Sequence, residues 1–358
     1  MLKRRGAESA ELKLRTETLR ASRLCVLIQP QGYISVSNWR VAKGAKGSER
    51  GELLVYLWER ARTSILLLLQ VKRFIQVEVA VAQEVRFLLF DVESVADGDL
   101  INTTKYAGEG LSSAEAISKF RQELLMTSSR DFIPYTYHLP VAVVIAKIRA
   151  DYSLLDIVSL DQPHHRPHVI TKHFWTGWEA YERPTWVTFN GRTFDLPLME
   201  HAAFRFGVAL PQWFNLDART YDQYRNRYNL HSHLDLHELL TNFGSTWFRG
   251  GLNLAAALLG KPGKMSVQGD MVQSLYDQGK ISEINEYCRC DVLDTYFVFL
   301  RMSTLMGKIT LADEQDRVRS AKELIESQAA QHPAYQQYLE QWGDWSNPWG
   351  EEIVATKS

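Results

Sequence analysis

Four acidic side chains stand in three short patterns whose spacing suits divalent-cation chemistry. Asp91 and Glu93 flank Val92 at the end of the apolar run 85–90, Asp195 follows Asn190-Gly191-Arg192-Thr193-Phe194, and Asp291 lies four residues after Tyr287. In an extended strand, residues i and i+2 point to the same side. Asp91 and Glu93 can therefore converge on one cation while Val92 faces the other layer. Residues four apart share a helix face, so Tyr287 and Asp291 can project together. Asp195, after a strand and an Asn-Gly turn, can reach across the same cleft. Each pattern alone has a plainer reading, because an acid at a strand end is more often a cap or a turn residue. As a group they carry more. Clustered carboxylates repel one another and are costly to bury unless cations neutralise them. Oxygen-only ligands favour Mg2+ or Mn2+ over zinc. Two such cations can activate a water and stabilise a leaving 3′ oxygen during in-line attack on a phosphodiester. The Tyr287 hydroxyl, one turn before Asp291, is placed to position that water.

The elements that must hold these residues can be read from periodicity. Residues 85–90 form a buried strand ending at the acids, and residues 141–147 and 152–160 read as two more strands. A helix is expected over 165–181, a strand over 185–190, and a helix over 194–206 with Leu198, Ala202 and Phe206 on its apolar side. Helical stretches follow at 234–241 and 252–259. A long helix runs over 282–305, with Ser282 as its N-cap. Strands first, then strands alternating with helices, imply an α/β fold with a mixed sheet flanked by helices.

Composition sets the outer limits. The chain has 358 residues, 45% of them hydrophobic, which is enough for a proper core. A formal net charge of -1 argues against gripping nucleic acid through bulk positive charge, so any such contact is local. Charge is uneven, however: residues 1–85 hold 15 Lys+Arg against 8 Asp+Glu. The stretch 43–48 reads as a loop, and residues 1–84 contain no motif with chemistry. They are expected to be either an appended basic arm or sequence upstream of the true start, and we favour the second. Cys25, Cys288 and Cys290 cannot build a disulfide framework, which points to a reducing compartment, and cytoplasm is the plain choice. The continuous hydrophobes at 65–69 fall far short of the roughly 20 needed to span a bilayer, so no membrane partner is expected.

The motifs resemble those of the DEDDy class of 3′→5′ exonucleases, with D-x-E, N-x-x-x-F-D and Y-x-x-x-D in that order. More closely, Phe90-Asp91-Val92-Glu93, Phe189-Asn190-Gly191 through Asp195-Leu196-Pro197, Gly260-Lys261-Pro262-Gly263-Lys264 and Tyr287-Cys288-Arg289-Cys290-Asp291 resemble the predicted exonuclease family related to the proofreading domain of B-family DNA polymerases. Glu286 is not a histidine, so the DEDDh subclass fits poorly. The resemblance spans about residues 85–307. Residues 311–358 read from their own composition as a helical, Trp-rich C-terminal extension, whose tryptophans are expected to dock back on the domain in preference to forming a partner-binding peptide; the resemblance itself implies a ribonuclease H-like (DnaQ-like) fold over 85–310. It also implies that Asp91, Glu93, Asp195 and Asp291 bind two divalent cations, Mg2+ or Mn2+, and that Tyr287 orients the attacking water. Asn190 and Phe194 are implied contacts for the terminal nucleotides, Phe194 being equally readable as a core residue. The implied reaction removes nucleoside monophosphates from the 3′ end of single-stranded nucleic acid, DNA favoured over RNA, alone or beside a polymerase or repair partner. RNA trimming and a noncatalytic binding module are the alternatives.

Several weaker patterns remain. Lys261 and Lys264 read as a loop suited to phosphate contacts, Lys264 the better of the two, or as a solvated turn. Arg219, Arg225 and Arg227 interleave with Tyr221, Tyr224 and Tyr228, which suits a single strand or a solvated helix face equally. His231, His233 and His237 with Asp235 and Glu238 superficially suggest zinc, but the H-E-x-x-H arrangement is missing and a structural role is favoured. His164, His165 and His168 lie in a Pro-containing loop expected to begin a helix.

Overall fold

The computed structural model describes residues 27–28, 34–35, 84–263 and 271–350. The chain divides into two units, Met1–Phe74 and Ile75–Ser358. In the first, β1 (Leu27–Ile28) pairs antiparallel with β2 (Ile34–Ser35). The loop expected at 43–48 and both readings of residues 1–84 otherwise lie outside the described residues, as does Lys264.

The second unit is built on a five-stranded mixed sheet. Its strands are β3 (Val85–Ala96), β4 (His138–Arg149), β5 (Leu154–Ser159), β6 (Thr185–Thr188) and β7 (His233–Asp235), in the order β5-β4-β3-β6-β7. β3 runs antiparallel to β4, with Asp91 opposite Val144 and Glu93 opposite Ala142, and parallel to β6. The parallel pairing ends at Leu89 opposite Val187, two residues before Asp91. Thr188 still pairs with β7 and then ends β6, so the acids of β3 stand just past the carboxyl ends of the parallel strands, the usual place for a ligand in such folds.

Strand periodicity sorts the β3 side chains onto two cores. Leu88, Phe90 and Val92 turn to one face, where α3 (Pro167–Ala180) and α4 (Asp195–Phe206) supply Ile170, Phe174, Trp175, Trp178, Leu198 and Met199. Phe174 stacks on Trp186 at 4.4 Å, with Phe90 edge-on to both. The indole N–H groups of Trp175 and Trp178 donate to the Met199 and Pro184 carbonyls, whereas that of Trp186 is buried with no partner. Leu89 and Val95 turn to the opposite face, against the 25-residue α8 (Ile281–Leu305).

Between β3 and β4 the chain forms α1 (Gly98–Lys105) and α2 (Ser113–Ser128), an unanticipated helical pair that encloses its own small core of Ile101, Tyr106, Ala116, Phe120 and Ile133. Ser112 starts α2 with a reciprocal capping box to Glu115. Later come the short α5 (Leu236–Leu240), α6 (Gly251–Ala257) and α7 (Val272–Asp277). α9 (Leu311–Gln328) and α10 (Pro333–Glu340) bring Ala321, Ile325, Tyr335 and Tyr338 into the α8 core. The Trp342 ring lies edge-on to Phe297 of α8 at 5.2 Å, and the Arg301 guanidinium sits 4.2 Å over Trp345, while Trp349 is exposed.

Two local expectations need correction. Residues 233–235 are strand, not helix, because their backbone pairs with β6 and Asp235 then caps α5 through the His237 and Glu238 amides. Ser282 is not the N-cap of the long helix; Lys280 is, without a side-chain cap bond. Gly279, at φ 73°, turns the chain out of α7 and starts α8 two residues early.

Candidate active site

β3 and α8 bring three carboxylates together. One oxygen each from Asp91, Glu93 and Asp291 lies within 4.8 Å of the others, although Asp291 comes from a helix some two hundred residues later. It is the sole group of three or more potential metal ligands among the described residues. All three acids are partly accessible. Asp195 stands beside them, in the first turn of α4, where its charge is felt by Asp91 and it feels Asp291 in turn. Burial, followed by repulsion from Asp195, raises the Asp91 carboxyl to about 7. Burial likewise raises Asp195 to about 7, with Asp235 and Asp291 adding to it, against stabilising amide hydrogen bonds from its own N–H and that of Val92. Such crowding is what a cation would relieve.

The donor set fits hard divalent cations. Three carboxylates converge with the charge of a fourth, Asp195, close enough to be felt, and the nearby thiol is not available as a thiolate. Cys288 is fully buried on α8, and burial, with the neighbouring acids, pushes its thiol well above the usual range. Its Sγ lies 3.4 Å from both the carbonyl oxygen and Oδ2 of Asp91, so the protonated thiol donates to that residue. Sequence reading missed this contact, since it depends on the packing of α8 against β3.

Tyr287 is buried, and its phenol is held far above its ordinary range, first by burial and then by Asp291, Glu93 and Asp91. It therefore stays protonated, and its O–H donates to Asp291. The helix spacing that joined Tyr287 to Asp291 on paper joins them in space.

The turn before Asp195 is fixed by Asp235. Its Oδ1 accepts from the Asn190 amide at 2.9 Å and its Oδ2 from the Arg192 amide at 3.0 Å. Arg192 then pairs with Glu238 at 2.7 Å, and Arg227 meets the same carboxylate at 2.5 Å. Asn190 adopts the left-handed conformation at φ 66° and is exposed at the mouth of the turn. Gly191 is buried against Thr188, where a Cβ would come within 2.6 Å of the threonine Cβ. Phe194 is half-buried, packed on the Trp-rich core and among the rings of Phe132, Tyr135 and His138.

The weaker patterns resolve in structural terms. Lys261 is buried, its Nζ donating to the Gly343 carbonyl at 2.8 Å over the Trp342 ring, so it is no phosphate contact. Burial lowers it to about 8. His233 bonds Thr188 through Nε2 at 2.8 Å and is kept neutral by burial, while Asp235 and Glu238 are engaged by the turn. His165 is buried ahead of α3. Arg225 forks onto Glu200 at 2.9 Å and Tyr224 packs half-buried on Trp178, while Arg219, Tyr221, Arg225, Arg227 and Tyr228 are all exposed, Arg225 and Arg227 with their charges paired to Glu200 and Glu238. No described helix is long and apolar enough to cross a membrane.

A mixed sheet flanked by helices, with acids in the second half of its central strand, which runs on past them to Ala96, and on a facing helix, is the arrangement of a ribonuclease H-like exonuclease domain. Residues 130–342 match the family described as a predicted 3′-5′ exonuclease related to the exonuclease domain of PolB, and the chain belongs to that family. The matched span contains Asp195, Tyr287 and Asp291, and β3, with Asp91 and Glu93, is tied to it by the long β3–β4 ladder. The comparison with curated proteins gives no match.

Proposed function

We propose that the chain is a metal-dependent 3′→5′ exonuclease that removes nucleoside monophosphates from single-stranded nucleic acid, with DNA the favoured polymer. The observation that carries this reading is the convergence of Asp91, Glu93 and Asp291 within 4.8 Å, with Asp195 alongside and the Tyr287 phenol bonded to Asp291. Asp91, Glu93, Asp195 and Asp291 would hold two divalent cations, Mg2+ or Mn2+. Bound cations supply Lewis acidity at the phosphodiester and lower the pKa of water.

The chain's own groups do the remaining work. The Cys288 thiol and the Val92 amide orient the Asp91 carboxylate, and the two amides of the 190–192 turn, gripped by Asp235, set the start of α4 and hence Asp195. Tyr287, protonated and anchored on Asp291, is a fixed donor beside the acids and is the group we assign to orienting the attacking water. Asn190, exposed at the mouth of the turn, is assigned to contact the terminal nucleotide, as is Lys264. We assign residues 85–310 to the exonuclease domain and 311–358 to an extension whose helices α9 and α10 brace α8, and we assign the protein to the cytoplasm.

The test is product identity. A strand labelled in its 3′-terminal nucleotide should release labelled nucleoside 5′-monophosphate in Mg2+ or Mn2+ and nothing in chelator. Release of inorganic phosphate would reassign the site to a phosphatase, and strand binding without release would make it a noncatalytic module. Running DNA and RNA side by side reads the sugar preference.

A further inference from the structure

Burying a carboxyl among apolar side chains costs free energy that a hydrophobic residue in the same place would not. Asp294 of α8 is wholly buried, in a stretch where Leu293, Tyr296, Phe297 and Val298 are buried with it. Burial raises its carboxyl to about 7, opposed first by a hydrogen bond from Tyr338. That bond, from the α10 hydroxyl to Oδ1, is 2.6 Å long, while Oδ2 is buried with no hydrogen bond. Tyr338 is itself wholly buried, and burial and the Asp294 charge keep its phenol protonated, so it is the donor. Among the described residues, Tyr338 is thus the group that fixes the orientation of this carboxyl.

Residues i, i+4 and i+7 of a helix form one stripe, so Tyr287, Asp291 and Asp294 stand in line along α8. Tyr287 and Asp291 meet the acids of β3, and Asp294 meets α10 while still feeling the charge of Asp291. Rotating α8 by about 20° would sweep side-chain atoms about 5–6 Å from its axis through about 2 Å. Cation ligands tolerate only about 0.2 Å. The same rotation would pull Asp294 from Tyr338. α10 is in turn fastened at both ends. At its start, His332 Nδ1 lies 3.0 Å from Oε1 of Glu286, the residue before Tyr287. Past its end, the Gly343 amide donates to the Gly260 carbonyl at 2.8 Å, and Lys261 Nζ returns a 2.8 Å bond to the Gly343 carbonyl. Gly260, at φ 69°, lets the two backbones meet, for a Cβ there would lie 2.9 Å from the Asp344 carbonyl carbon.

We propose that Asp294, held by Tyr338, is a positioning residue that sets the rotation of α8 and so aims Asp291 and Tyr287 at the acids of β3. This rests on the exonuclease reading of the site. Apolar burial is non-directional and holds a helix against its neighbours without fixing its rotation closely. A short hydrogen bond has a narrow geometry and does fix it. The helix α10 therefore serves the carboxylate centre through α8, and Gly260 and Lys261 anchor the chain that follows α10.

The experiment compares the full chain with Tyr338→Phe, Asp294→Ala, Asp294→Asn and, as a control in the same core, Ile325→Val on α9. Mg2+ titrations of the melting temperature read metal binding apart from turnover, and steady-state kinetics on a 5′-labelled single strand read kcat and KM. A hydrogen bond to a charged group is worth roughly tenfold in an equilibrium. Tyr338→Phe and Asp294→Ala should each raise the half-saturating Mg2+ concentration and lower kcat by about that factor, with KM for the strand unchanged. The double variant should be no worse than the more damaging single one, because the two groups make one interaction. Asp294→Asn keeps the acceptor for Tyr338 and should stay near wild type. Ile325→Val should lower the melting temperature and move neither quantity. An unmoved Mg2+ midpoint in Tyr338→Phe, an Asp294→Asn variant as impaired as Asp294→Ala, or an equal shift in Ile325→Val would overturn the proposal. A Mg2+ midpoint that shifts in Tyr338→Phe, in a protein whose wild type cuts no strand, would contradict the exonuclease reading and leave the role of Asp294 standing.

Discussion

Replacing Asp91 by asparagine should abolish hydrolysis and yet stabilise the protein in chelator. The Asp91 carboxyl titrates near 7 in the folded chain, against a reference of 3.8, because burial and the charge of Asp195 oppose its ionisation. Below pH 3.8 the group is protonated in folded and unfolded chains alike, and its contribution to stability is fully present. Between about pH 4 and 7 the unfolded chain releases a proton that the fold retains, so stability falls as pH rises, and the loss is complete above 7. At about 1.4 kcal/mol for each pKa unit, the full gap is worth roughly 4 kcal/mol. Asp91 keeps some solvent access and shares its repulsion with Asp195, so about 2–4 kcal/mol is the expected range for one substitution. The asparagine side chain does not titrate. Urea unfolding in EDTA should therefore show the Asp91→Asn variant equal to wild type near pH 4 and more stable by that amount at about pH 8. Added Mg2+ should reverse the order by stabilising the wild type alone. A variant advantage that does not grow over that pH range, or an equal gain from Mg2+ in both proteins, would refute the argument that crowded carboxylates store the cost a cation relieves.

Tyr287→Phe should fold normally and lower kcat by roughly 10²-fold with KM little changed, as steady-state kinetics would show, since it removes only the donor beside Asp291. Cys288→Ala should weaken Mg2+ affinity, because losing the thiol donor to Asp91, worth about 1 kcal/mol, lets that carboxylate rotate. Half-maximal activity should need several-fold more Mg2+, with Cys288→Ser restoring it. Gly191→Ala should cost about 1–3 kcal/mol in denaturant unfolding and should also lower activity. Its Cβ would press on Thr188, which cannot give way while bonded to His233, and the turn carrying Asp195 would shift.

The chemistry was more legible than the scaffolding around it. Asp91 and Glu93 could be paired from the two-residue repeat of a strand because apolar residues on both sides of β3 make that strand unmistakable. Tyr287 and Asp291 could be joined because α8 is long and strongly periodic. The α1–α2 pair escaped although Ser112 and Glu115 form a capping box, since its buried residues face only a small core of their own. β7 escaped because three residues carry no period and its strand character comes from pairing with β6. The contacts of Asp235 and Cys288 were hidden for a common reason. Each is made with a neighbour distant in sequence, and only the folded chain shows which neighbour that is. Lys261 shows the opposite hazard: a lysine beside Pro-Gly reads as surface, yet the Trp342 ring and the Gly343 carbonyl enclose it.

The most direct test of the central claim is a time course on a 5′-labelled single-stranded DNA and its RNA counterpart, in Mg2+, in Mn2+ and in EDTA, with wild type and Asp291→Ala in parallel. A ladder that shortens from the 3′ end, requires the metal and vanishes in the variant is the result predicted by a carboxylate centre at Asp91, Glu93, Asp195 and Asp291. Equal shortening by wild type and Asp291→Ala, or no shortening of either polymer in either metal, would contradict it.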